Sequence, residues 1–165
     1  MRARYAVVAL LAAAACARDP LGRGPTVLLF VSPSCPIANR YAPEIARIAA
    51  RFAGRAAFTL VYPDAGDDEV SAHRAAYGLR LPARRDPRHQ LVARARVEVT
   101  PEAALFTGGT LMWHGRIDDR YADIGHEHPA PTTHDLEDAV AALVDGRPLP
   151  PAHPAVGCAI ELPRP

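Results

Sequence analysis

Lysine is missing from this 165-residue chain; all 19 of its basic side chains are Arg. We attach no function to that bias. No block of one charge sign is present, and the formal net charge is +1. Nothing in this balance points to a nucleic-acid partner. The apolar run from Ala6 to Ala15 stops at ten residues, too short for a mature bilayer-spanning helix. There is no internal repeat. Cysteine is scarce, with three residues, Cys16, Cys35 and Cys158. What the chain does have is apolar content: 49% of its residues, enough for the core of one domain at this length.

The stretch Phe30-Val31-Ser32-Pro33-Ser34-Cys35-Pro36-Ile37 organises the rest. Val27 to Val31 reads as a buried strand, and the Ser/Pro turn leads to a thiol at the start of a helical pattern. Unpaired N–H groups and the positive end of the helix dipole stabilise a thiolate there. Pro36 suits the first helical position, where its missing N–H would be unpaired anyway. The plainer alternative for Cys35 is a small buried hydrophobe. Ile37, Tyr41, Ile45, Ile48 and Phe52 then make one helical face, with Pro43 as a kink inside it and Gly54 as its C-cap.

Ala57 to Tyr62 predicts a second strand. Asp67, Asp68 and Glu69 open a second helix that Gly78 closes. Leu79 to Leu81 reads as a short extended piece. Asp86-Pro87 is an N-cap and N1 pair for a helix running to about Ala95. Ala103 to Thr107 and Thr110 to Arg116 flank the hairpin signal Gly108-Gly109. Residues 117–131 read as a loop. Thr132 to Asp135 caps a last helix carrying Leu136, Val140, Leu143 and Val144. The Pro-rich tail 147–165 is expected to run extended over the surface. The order β-α-β-α-α-β-β-α predicts an α/β fold: a three-layer α/β/α sandwich with a mixed central sheet.

Arg2 and Arg4 before the Ala6 to Ala15 run make residues 1–17 a predicted signal peptide. Ala13-Ala14-Ala15-Cys16 resembles a bacterial lipobox, which makes Cys16 a candidate for acylation and a membrane anchor. Ordinary cleavage after Ala17 fits as well. Either route exports the protein, to the periplasm or to a membrane-anchored state, in an oxidising compartment. Residues 18–25 read as a linker, 26–146 as the domain and 147–165 as its tail. The mature chain would then keep two thiols, Cys35 and Cys158.

Three features together resemble the thioredoxin-like superfamily. These are the strand leading into Cys35-Pro36, Pro43 eight residues after the cysteine, and Val99-Thr100-Pro101 just before the hairpin strand. The branch it looks most similar to is the redoxin group, including the alkyl hydroperoxide reductase/thiol-specific antioxidant proteins and exported thiol–disulfide proteins. The resemblance implies a cis Pro101 facing Cys35. It further implies that Pro36, Thr100 and Pro101 form a substrate platform, with Thr100 offering its backbone to an extended substrate.

The chain departs from that pattern at identifiable places. Ala38 stands where thioredoxins have a second cysteine, so a local dithiol is impossible. Leu29 replaces a buried acid, and Leu28 replaces the proline of the peroxiredoxin motif. Three chemistries stay open. Cys35 acts alone with an external thiol, Cys35 pairs with Cys158 as resolving cysteine, or the domain is a non-catalytic redoxin-fold binding module, possibly copper-handling.

His126, Glu127, His128 and His134, together with Cys35, are the candidate copper ligands, but Asn39 takes the place of the second cysteine of the copper-delivery relatives. We expect no metal and no cofactor. The partners expected are a disulfide or thiol protein or a small peroxide as substrate, with an external thiol as reductant. Glu102 is weighed as a proton acceptor near the thiol or as a solvent-facing charge, and His114 as a solvent-facing strand residue. Asp118, Asp119 and Arg120 are weighed as a structural ion-pair network.

Overall fold

The computed structural model describes residues 21–161. The signal-peptide reading of residues 1–17, with the acylation of Cys16, lies outside them. The first strand, β1 (Thr26–Phe30), is buried along its whole length. That fits a continuous apolar run covered on both faces rather than an alternating one. The chain then passes through α1 (Pro36–Arg40), α2 (Ala42–Arg51), β2 (Ala57–Tyr62), α3 (Asp67–Ala76), β3 (Ala83–Arg85) and α4 (Gln90–Ala95). It continues with β4 (Val99–Thr100), β5 (Glu102–Thr107), β6 (Thr110–Gly115), β7 (Tyr121–Asp123), β8 (His126–Glu127), α5 (Asp135–Val144) and β9 (Cys158–Ala159).

The central sheet has the order β3-β2-β1-β5-β6. β1 lies parallel to β2, and β2 to β3; β5 runs antiparallel to both β1 and β6. Val27 and Leu29 point to one face, where Ile45 and Ile48 of α2, Val70 of α3, and Leu136 and Val140 of α5 complete a core. Leu28 and Phe30 point to the other, against Leu91 and Ala95 of α4. Leu21, from the segment read as a linker, is fully buried in that second cluster, and Ile160 of the tail packs on it. The layers are therefore helix, mixed sheet, helix, as the element order predicts.

The structure departs from the sequence expectations in a few places, each with a local cause. The helix expected over 36–52 is two helices separated at Tyr41. Pro43 lies in the first turn of α2, where its lack of an N–H costs nothing, so it begins a helix instead of kinking one. Leu79 to Leu81 is not a strand; the edge strand is Ala83–Arg85, which carries no apolar pattern to announce it. Asp86 caps as expected, but from further back. Its carboxylate accepts the backbone N–H groups of Gln90, Leu91 and Val92, so α4 begins at Gln90. Gly108 and Gly109 both take positive φ, 56° and 80°, as a two-residue hairpin turn requires. The stretch read as a loop, 117–131, contains the small β7–β8 ribbon.

The tail, expected to run extended over the surface, is tied to the domain by backbone hydrogen bonds. The Arg116 N–H donates to the His153 carbonyl (3.1 Å), and the Ile160 N–H to the Glu98 carbonyl (2.9 Å). Between them β9 pairs antiparallel with β4, placing Cys158 opposite Thr100.

Candidate active site

Cys35 is the N-cap of α1. Its backbone is extended (φ −91°, ψ 109°), and its Sγ accepts the Ala38 N–H at 3.4 Å. The residue that replaces a second cysteine therefore still serves the first one, through its backbone. On its other side the Cys35 thiol donates to the Thr100 carbonyl at 2.9 Å, and the residue is fully buried. The Thr100–Pro101 peptide bond is cis, as the resemblance implies. Pro101 brings no N–H to this corner, so the sulfur meets a carbonyl acceptor there and no competing backbone donor.

Cys158 comes to the same place from the tail. Its strand register puts it opposite Thr100, and it is half-buried against the core cluster that contains Cys35. Its thiol is pushed up to about 11, first by burial, then by a side-chain hydrogen bond with Cys35 and by the charge Cys35 can carry. The two thiols, 123 positions apart in sequence, thus share one site, and both are free thiols here. Gly157 makes the meeting possible. A Cβ at that position would lie 2.2 Å from the Thr100 oxygen and 2.7 Å from its carbonyl carbon. Backbone cannot yield to such a contact, so only glycine lets the tail lie this close to the cis peptide.

The turn that presents Cys35 is braced by a chain of side chains. Asn39 donates through Nδ2 to the Pro33 carbonyl (3.1 Å), His73 Nε2 meets Asn39 Oδ1 (2.9 Å), and Tyr62 O–H meets His73 Nδ1 (2.9 Å). Burial holds His73 below the ordinary histidine range, so the ring is neutral. Asn39 Oδ1 is only an acceptor, which assigns the ring proton to Nε2 and leaves Nδ1 to accept from Tyr62. Nothing in local periodicity links Asn39 with His73; the link arises from packing α3 beside α1.

Glu102 is buried. It accepts the Glu98 N–H (3.1 Å) and pairs with His114 Nδ1 (2.9 Å). It therefore clamps the two ends of the β4–Pro101–β5 corner, and it is neither a solvent-facing charge nor a free proton acceptor. Asp118 is buried too, accepting the Tyr41 hydroxyl and the Arg120 N–H. Asp119 instead holds the backbone N–H groups of Thr132 and Thr133 ahead of α5. The expected network of 118–120 is thus several separate brackets.

Pro36 is exposed at the first helical position. A cleft of about 320 Å³ opens beside the site, lined by Ser32, Ser34, Asp64, Thr100, Cys158 and Glu161; Pro36 lies outside it. The histidine-rich segment does not converge on Cys35. Glu127 is engaged by Arg40 and Arg120, each through a guanidinium. Among the described residues, the one grouping with metal-ligand spacing is Glu44, His134 and Glu137. Its carboxylates are already neutralised by Arg47 and Arg51.

No family model matches the chain, and no curated protein matches it in sequence. Solved structures do. An uncharacterized conserved protein of Geobacillus kaustophilus superposes with a TM-score of 0.75 at 21% identity, over 87% of this chain and 79% of that one. A hypothetical protein from Sinorhizobium meliloti does so at 0.70 and 23%, over 85% and 80%. A secreted Mycobacterium tuberculosis disulfide oxidoreductase, homologous to E. coli DsbE, gives 0.52 and 22%, over 76% and 84%. The fold of the chain is thioredoxin-like.

Proposed function

We propose that the chain is an exported thiol oxidoreductase whose redox centre is Cys35 and Cys158, with Thr100-Pro101 as the platform beside it. One observation carries this reading: Cys35 and Cys158 meet at the Thr100 carbonyl, next to a cis proline, from opposite ends of the domain. In the reduced protein, when the β9 segment lifts from Thr100 with no disulfide to tether it, the Cys35 thiolate attacks a substrate disulfide and forms a mixed disulfide, expelling one substrate thiolate; the segment then reseats. Cys158, deprotonated, then attacks the Cys35 sulfur and expels the second. The substrate gains two electrons and the protein holds a Cys35–Cys158 disulfide. An external thiol restores the dithiol. Export rests on the charged and apolar pattern of residues 1–17, whose removal would leave 18–25 as a linker to the domain and its tail.

A binding module without turnover makes a different prediction, because its activity cannot depend on Cys35. Replacing Cys35 by Ser should abolish disulfide reduction. Cys158→Ser should keep the first step but accumulate mixed disulfide on Cys35. Mass spectrometry of the oxidised, non-reduced protein should find a Cys35–Cys158 linked peptide. Activity that survives C35S would sink the enzymatic reading.

A further inference from the structure

Resting on the Cys35–Cys158 pair, we infer that the oxidised protein is reduced by a small neutral or cationic thiol that attacks Cys158, not by a polypeptide that attacks Cys35. Three observations lead there. First, the edge of β4, with backbone groups that an extended polypeptide would need for strand addition, is already taken. β9 pairs with it at Val99 and Thr100, and the Ile160 N–H donates to the Glu98 carbonyl. The tail is seated rather than resting there, since Gly157 admits no side chain against Thr100 and Ile160 packs into the second core cluster. In the oxidised state the disulfide would tether it further.

Second, the two sulfurs differ in access. Cys35 is fully buried, whereas Cys158 is only half-buried and lines the 320 Å³ cleft with Ser32, Ser34, Asp64 and Glu161. A cleft of that size lies at the small end of small-molecule sites. It carries two carboxylates and no cationic side chain in its lining; the His89 ring stands 3.2 Å from Asp64. Anionic thiols meet like charge there, and cationic ones meet opposite charge.

Third, the direction of bond breaking agrees. Attack on Cys35 would have to expel Cys158, whose thiolate is disfavoured by burial and is therefore the poorer leaving group. Attack on Cys158 expels Cys35 instead, and its sulfur is received by the Ala38 N–H. The step balances. The incoming thiolate forms a bond to the Cys158 sulfur, and the Cys35–Cys158 bond breaks with its electron pair left on Cys35. A second thiolate then attacks the adduct, releasing the small disulfide and leaving Cys158 reduced.

The test uses the full chain, oxidised, mixed with cysteamine or with 3-mercaptopropionate. Samples are quenched in acid at early times, alkylated and mapped by mass spectrometry. The expected transient carries the thiol on Cys158 and the alkyl group on Cys35; the reverse assignment overturns the inference. Per thiolate, cysteamine should react at least about threefold faster than 3-mercaptopropionate, and that ratio should fall towards one in the D64N/E161Q variant. A ratio unmoved by that variant removes the charge preference. A short cysteine peptide of extended conformation that outpaces both small thiols overturns the size argument. If no Cys35–Cys158 disulfide forms on oxidation, the functional reading itself fails, a result distinct from all of these.

Discussion

Cys158 is a thiol whose environment holds its proton. Burial and its hydrogen bond with Cys35 push it up to about 11, so at neutral pH it is almost wholly protonated and slow to alkylate. Its alkylation rate in the reduced protein should therefore climb about tenfold per pH unit from pH 7 to near 11. Removing Cys35 removes two of the three causes that raise it. In C35S, Cys158 alkylation at pH 8 should be faster than in the parent by about threefold or more. A profile that does not move between the two proteins would mean that the sulfurs do not interact. Under the proposed pairing, Ala38 suffices where thioredoxins have a second cysteine. Its N–H still supports the Cys35 sulfur, and the second sulfur arrives by another route.

That route is the tail from His153 to Ile160, an element held at four points. His153 accepts from the Arg116 N–H and pairs through its ring with buried Asp135. Gly115 is needed beneath it, since a Cβ there would lie 2.8 Å from the His153 oxygen. Gly157 and Ile160 hold the far end. Replacing Gly157 by Val forces a side chain into the Thr100 carbonyl, a backbone group that cannot yield, so the tail must lift. Iodoacetamide should then reach Cys35 in the reduced protein about tenfold faster or more, equivalent to about 1.4 kcal/mol in the docking equilibrium. Far-UV circular dichroism should stay unchanged, because the sheet and its helices are untouched. Unaltered Cys35 alkylation in a folded G157V protein would mean that something other than the tail covers the thiol.

The molecule as a whole is joined across its helical layer by Glu137 of α5, which is buried and is gripped by Arg47 and Arg51 of α2. The hydrogen bond from Arg47 comes first among the causes that hold its carboxyl below the usual range. The unfolded carboxyl titrates near about 4.3. Its contribution is therefore fully present above that pH and is lost as pH falls through the lower, folded value. Both arginines are about half exposed, so solvent screens the pair and the stake is modest. E137Q should lose about 1 kcal/mol at pH 7 in urea denaturation. The difference from the parent should shrink towards zero at pH 3. A gap that stays constant with pH would assign the loss to packing instead of charge.

The layers and the thiol corner were legible in the chain because they depend on local rules. The apolar run of β1, the two glycines of the hairpin and the acids of α3 and Asp86 act over a few residues, where propensity and capping dominate. The order of those elements was enough to predict the mixed sheet. Cys35 was readable from its place at a helix start, whereas the place of Thr100 and Pro101 beside it was implied by the resemblance to thioredoxin-like proteins. Long-range contacts left no comparable signal. Asn39, His73 and Tyr62 form one chain of hydrogen bonds only when α3 lies beside α1. Glu102 becomes a buried clamp only when β4 folds back around Pro101. The tail's composition foretold an extended path over the surface, but not its seat. Pairing across 123 positions depends on a strand edge, a glycine and an apolar anchor meeting in space, and no periodicity along the chain records where they meet.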